Sequence, residues 1–198
     1  PVDIRGLKTS ISLYPAHNVL FAGTMNDDES TQSLSDKVLD RGNIIQFAAP
    51  SEFATPKSAQ TSSTPLEAQS FTSWRTWIKG ADTIRDELPN KIIGQLAGIM
   101  EECGRPFGHR LRDAILAYVA SYPQFENHSD VRIALADQIE FRILPKLRGL
   151  EIETYPSALD NLERLIRDDL GDAVFADRFS ELRARQSKGT GLLVWRGL

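Results

Sequence analysis

The chain has 198 residues, with 41% hydrophobic and 25% charged, values of an ordinary globular protein that point away from disorder and from a membrane class. A net charge of −4 and a pI near 5.4 leave no electrostatic footprint for wrapping nucleic-acid phosphates, which need clustered cations. One cysteine, Cys103, excludes an internal disulfide and a thiolate zinc cluster and fits a reducing, cytoplasmic compartment.

No apolar run approaches the roughly 20 residues that span a bilayer. The N-terminus, Pro1-Val2-Asp3-Ile4-Arg5-Gly6, has neither a basic n-region nor an apolar h-region and does not read as a signal peptide. A chain beginning this way is expected to be a processed product or a piece of something longer.

In chain order, Ser10 to Tyr14 alternate in apolar character and predict a short strand ended by Pro15. Val19 to Gly23 form a continuous apolar run suited to a central strand covered on both faces. A short helix is predicted over Ser33 to Asp40 and a further strand over Asn43 to Phe47. Strand, helix, strand with short connectors implies part of an α/β layer. From residue 50 to 70 the composition turns to Ser, Thr, Pro and Ala, which predicts a linker or extended loop.

Everything beyond reads as helix. Phe71 to Ile78 is short and aromatic, with Phe71, Trp74 and Trp77 expected to pack into a helical core. Leu88 to Glu102 is closed by Gly104 as a stop signal. Over Pro106 to Tyr122, Phe107, Leu111, Ile115, Tyr118, Val119 and Tyr122 fall on one stripe. Asp130 to Leu144 carries Ile133, Ile139 and Ile143 and ends near Pro145. Ser157 is a candidate N-cap for a helix to Leu170, and Ala173 to Gln186 makes the last. The expected organisation is therefore an α/β piece over residues 1–49, a linker over 50–70 and a helical domain over 71–198, mainly α overall.

Two residues stand out by position. Asn26 follows the run Val19 to Gly23, and the carboxyl ends of parallel strands open into the crevice where α/β sheets bind ligands. A neutral amide there can orient a water or a phosphate oxygen; alternatively it caps the acidic turn that follows, as Asn commonly does. Arg41 lies fifteen residues on, at the end of the next helix. Its modest reading is a contact with the helix dipole, and its larger one is an arginine finger on a neighbour's γ-phosphate.

The run Gly23-Thr24-Met25-Asn26, the acidic turn, Leu34-Ser35-Asp36-Lys37-Val38-Leu39-Asp40-Arg41 and the strand after it resemble the sensor-1 to arginine-finger segment of AAA+ ATPases. Within that superfamily they look most like the McrB branch, the NTP-driven motors of modification-dependent restriction systems. Leu13-Tyr14-Pro15-Ala16-His17-Asn18 is similar to the turn leading into sensor 1 there. Phe107-Gly108-His109-Arg110-Leu111-Arg112 and Ile143-Leu144-Pro145-Lys146-Leu147-Arg148-Gly149 resemble its lid segments. The likeness covers roughly residues 10 to 150, and residues 151 to 198 carry no recognised motif.

The resemblance implies that Asn26 orients the attacking water, that Arg41 acts in trans, and that Arg110, with Arg112 in reserve, is the lid's sensor 2. It further implies a homo-oligomeric ring, a hexamer by family habit. Such a ring would hydrolyse ATP or GTP with Mg2+ and drive a nuclease subunit on DNA contacted mainly through other parts of the protein. The α/β piece would be the C-terminal part of a P-loop core, with the P-loop strand between the two strands seen here. The helix ends in Asp40-Arg41-Gly42 and not in an arginine pair, which leaves one finger candidate.

No Gly-x-x-x-x-Gly-Lys-Ser/Thr occurs, so the chain alone is expected to bind no nucleotide and to be inactive. Ser187-Lys188-Gly189-Thr190-Gly191 has the composition of a phosphate loop but not the spacing. Asp27-Asp28-Glu29 do not come directly off a strand as a Walker B pair would, and His17, His109 and His128 have no metal-binding spacing. No Ser/His/Asp set is supported. The rival reading is a non-catalytic helical interaction module on a degenerate AAA+ remnant.

Overall fold

The computed structural model describes residues 14–16, 19–26, 34–47, 68–123 and 130–195. The chain forms two compact units, residues 1–33 with 64–77, and residues 34–63 with 78–198. Among the described residues the protein is mainly helical, with one two-stranded sheet. No described helix is long and apolar enough to cross a membrane.

In the first unit, residues 19–26 are neither helix nor strand and are exposed. Leu20 and Phe21 are 83% and 82% exposed, so the apolar run predicted as a covered strand has no cover among the described residues. Most of the strand expected over Ser10 to Tyr14, and the linker before residue 68, lie outside the described residues. Helix α2, which follows α1 (Asp36–Leu39) of the other unit in chain order, spans Phe71–Trp77. It opens on Ser70, whose Oγ accepts from Ser73 N at 3.0 Å. The expected packing of Phe71, Trp74 and Trp77 into a helical core is not found: no residue of α2 is buried. The Phe71 and Trp74 rings stack at 5.7 Å and the Arg75 guanidinium lies over Phe71. These aromatics cover one another on a helix too short to present a broad stripe.

The second unit is built on α3 (Leu88–Glu102), α4 (His109–Ser121), α5 (Asp130–Gln138), α6 (Pro156–Arg164) and α7 (Ala173–Ser187). Along α3, Ile92, Ile93, Leu96, Ile99 and Met100 are buried at the spacing of one helical face. Gly104 stops the helix as expected. Its φ is +66°, with Gly104 N donating to Glu101 O and Arg105 N to Met100 O, the bond pair of a Schellman cap. In α4, Leu111, Ile115 and Val119 of the predicted stripe are buried, and Phe107, Tyr118 and Tyr122 pack half-buried on the same core. The helix begins at His109, not Pro106, because Gly108 is still extended.

Past α5 the chain stays helical to Leu147, widening to π geometry over Ile139–Ile143 and tightening to 3-10 over Leu144–Leu147. Ile139 and Ile143 are fully buried, whereas Ile133 is 48% exposed, since six residues of helix turn it well away from the Ile139 face. Helix α6 starts on Pro156, with Tyr155 and not Ser157 at its N-cap. It too widens, over Leu165–Asp169, where Leu170 N reaches Leu165 O at 3.1 Å. Asp172 caps α7, accepting from Phe175 N at 2.9 Å.

Two short strands that the sequence pattern did not predict, β1 (Leu150–Glu151) and β2 (Leu192–Leu193), pair antiparallel. Beyond β2 the Gln186 amide donates to Val194 O at 2.7 Å and accepts from Val194 N at 2.9 Å, extending the pairing by a side chain. Trp195 then packs on Phe175 and Phe179, with ring centroids at 5.5 and 6.5 Å. Its Nε1 donates to Glu140 at 3.3 Å, so the end of the described chain closes onto the segment that follows α5.

Candidate functional site

Three polar or charged residues are buried among those described: Gln138, Arg142 and Lys146. They recur at intervals of four, on one line of the helical run from α5 to Leu147, and they hold residues 34–47 as a strap across the helical body. Burying such groups is costly unless they are paired and hydrogen-bonded; the strap supplies partners for the two cations and for the Gln138 amide nitrogen, while Gln138 Oε1 is buried without one.

Helix α1 buries Leu39 and turns off at once, with Arg41 N and Gly42 N both donating to Val38 O at 3.0 and 3.1 Å. On one side of that turn the Asp40 carboxylate accepts from Lys146 Nζ at 2.7 Å, the lysine side chain being 5% exposed and the aspartate 34%. Asp40 O lies 3.5 Å from an Arg142 terminal nitrogen. On the other side, Asn43 Oδ1 accepts from Arg142 Nε at 2.9 Å and from Gln138 Nε2 at 3.4 Å. Burial disfavours the protonated Arg142 guanidinium and the charge of Asp40 opposes that effect; a guanidinium stays charged regardless.

A proline adds a third anchor. Pro145 has no N–H to return to the carbonyl four residues back, which in a regular helix would be that of Phe141. The Phe141 carbonyl instead accepts from Ile44 N at 3.0 Å. Past this point the strap is extended, with residues 44 and 46 half-buried and 43, 45 and 47 exposed. Ile45 and Phe47 are 59% and 90% exposed.

The residues predicted from sequence fall as follows. Asn26 is exposed, at the end of the extended run of the first unit. Arg41 is exposed at the crest of the pinned turn, between Asp40 and Asn43. Arg110 and Arg112 are exposed in the first turn of α4. The Arg112 guanidinium donates to Asp113 at 3.0 Å and to Asn90 at 3.2 Å, and so ties α4 to the start of α3. Gln138, Asp40, Asn43, Arg142, Pro145 and Lys146 were not singled out for this role. Gln138, Arg142 and Lys146 share a polar period of four that runs into Pro145, a weak signal; Asp40 and Asn43 carry none.

No group of three or more His, Cys, Asp or Glu suited to a metal occurs among the described residues. Cys103 is buried. Burial, and then the charge of Glu102, push its thiol up to about 11, so it is not a nucleophile near neutrality. Tyr118 donates to Asp137 at 2.9 Å. Burial, followed by that bond, raises its phenol well above the ordinary range, which makes it a structural hydrogen bond.

Comparison with curated proteins and with solved structures finds no match. Residues 65–188 match the model of a family described as a domain of unknown function, DUF8727; that stretch is more than half of the chain, and the chain belongs to this family.

Proposed function

We propose that this chain is the C-terminal part of an AAA+ motor subunit resembling the McrB branch, contributing sensor 1, a trans-acting arginine finger and the helical lid. The observation that carries the reading is the display of Arg41. It is exposed at the crest of a turn whose flanking residues, Asp40 and Asn43, are both bonded to buried cations. A cation that must reach the γ-phosphate of a neighbouring subunit needs a fixed base and a free head. The Gly-Thr-Met-Asn run fifteen residues upstream supports the same reading, with Asn26 orienting the attacking water.

Arg110 is the sensor-2 candidate, because the Arg112 guanidinium is already engaged by Asp113 and Asn90. The nucleotide, ATP or GTP, is the substrate. Its phosphates and magnesium would be held by a P-loop and Walker B pair that this chain does not contain. The whole protein would act as a ring, with a nuclease subunit as the acceptor of the work. Exposed apolar residues on both extended segments, Leu20 and Phe21 in one and Ile45 and Phe47 in the other, fit strands of a core completed outside this chain.

One observation favours the rival, a helical interaction module. The family match over residues 65–188 includes the helical body and excludes Asn26 and Arg41. Assays of Mg·ATP and Mg·GTP hydrolysis by the full-length protein separate the two. The motor reading expects turnover that depends on oligomerisation, and none from residues 1–198 alone. Turnover by the 198-residue chain, or nucleotide binding absent from the full-length protein, would overturn it.

A further inference from the structure

We infer that Arg142 and Lys146 are positioning residues for Arg41: through Asn43 and Asp40 they latch the finger-bearing turn to the helical body, so that the body's movements are transmitted to Arg41. The catalytic half of this inference rests on the motor reading; the latch itself rests on geometry alone.

The distribution of polar burial comes first. Every buried polar or charged residue among those described lies on the line Gln138, Arg142, Lys146, while the rest of the core is apolar. A buried ion pair is a weak source of stability compared with apolar packing of similar volume. It is directional, however, and fixes one register where apolar surfaces tolerate sliding. Bonds from the segment carrying this seam to the strap reach residues 40, 43 and 44, immediately around Arg41.

The backbone bond points the same way. The Phe141 carbonyl is available because of Pro145, and Ile44 N takes it at 3.0 Å. The strap is therefore read by a main-chain irregularity of the helical run as well as by its side chains. The anchors before and after Arg41 belong to one continuous helical segment, from α5 to Leu147, so a shift of that segment carries both together. A misplacement of about 1 Å can cost a reaction about 100-fold. This makes the latch a route by which the helical body of one subunit sets the finger reaching the next.

The test uses the full-length protein with a nitroxide at position 41, on a background without other reactive thiols, beside kinetics on the unlabelled protein with Mg·ATP and Mg·GTP. The latch predicts a restricted nitroxide that becomes mobile in Asn43→Ala and in Lys146→Met, with the helical circular dichroism retained. In unlabelled protein those variants are expected to lose kcat by about 100-fold with KM unchanged, because Arg41 acts in the transition state. The swap Asp40→Lys with Lys146→Asp restores both readouts in part. Should Lys146→Met fail to fold, the exposed Asn43 still supplies the test.

Unchanged mobility and unchanged kcat in Asn43→Ala, in a protein that loses turnover on Arg41→Ala, overturn the latch and leave the motor. A loosened nitroxide in a protein indifferent to Arg41→Ala overturns the motor and leaves the latch.

Discussion

Along α3 the chain buries Ile92, Ile93, Leu96, Ile99 and Met100 against apolar neighbours. The strap, by contrast, buries Leu39 among its described residues and otherwise holds by a carboxylate, an amide and one backbone N–H. Apolar packing of the first kind stabilises in proportion to the area removed from water and has no preferred direction. Hydrogen bonds of the second kind contribute little net stability but fix distance and angle. The helical body is thus built for stability and the strap for orientation, and substitutions in the two regions should fail in different ways.

Phe179→Ala strikes the body where it is densest, at a ring with no exposed surface. A loss of about 3–5 kcal/mol is expected from the removed area plus the cavity, read as a lower denaturant midpoint with an unchanged slope. The restriction of a nitroxide at position 41 should persist until the body unfolds. Lys146→Met reverses the pattern. It removes a charge from the seam while keeping volume, and because Asp40 is one-third in solvent the global cost should be only about 1–2 kcal/mol. The label at 41 should nonetheless loosen fully. A global loss as large as that of Phe179→Ala would mean the strap is part of the core and not a latch upon it.

Gly104→Ala is smaller still, about 1 kcal/mol, since φ of +66° is costly for a residue with Cβ. The added methyl itself meets only the Tyr155 hydroxyl at 4.0 Å. The smallest effect concerns Cys103. Its folded thiol is raised from 9.0 to about 11, so between these values the unfolded chain loses a proton that the folded chain keeps. Folding stability should therefore fall as pH rises through that window. Cys103→Ala should flatten the slope in an alkaline series of denaturation curves, and an unaltered slope would assign it to other groups.

Legibility in the sequence followed the same division. The body's helices announce themselves by period: the apolar face of α3 with Gly104 as its stop, and the stripe of α4, agree with the structure to within a turn. Ile133 shows where period alone misleads, because it lies on a different face from Ile139 within the same run. The strands β1 and β2 were not legible, for two residues carry no alternation. Gly149 and Gly191, at φ of +77° and +71°, set their ends without a pattern around them. Arg142 and Lys146 carry no sequence mark of burial, since such residues usually lie at the surface. Only the arrival of Asp40 and Asn43 about a hundred residues earlier in the chain makes them interior. Arg41 could be singled out by its neighbours in sequence, but the means that hold it could not.

The most direct test of the account is the rate of Mg·ATP and Mg·GTP hydrolysis by the full-length protein carrying Arg41→Ala, with nucleotide affinity measured beside it. Turnover is expected to fall by roughly a thousandfold or more with nucleotide binding retained, since the finger serves a neighbour's transition state and not its own subunit's ground state. Turnover equal to that of the unsubstituted protein would contradict it and leave the pinned turn as an element of a protein-binding surface.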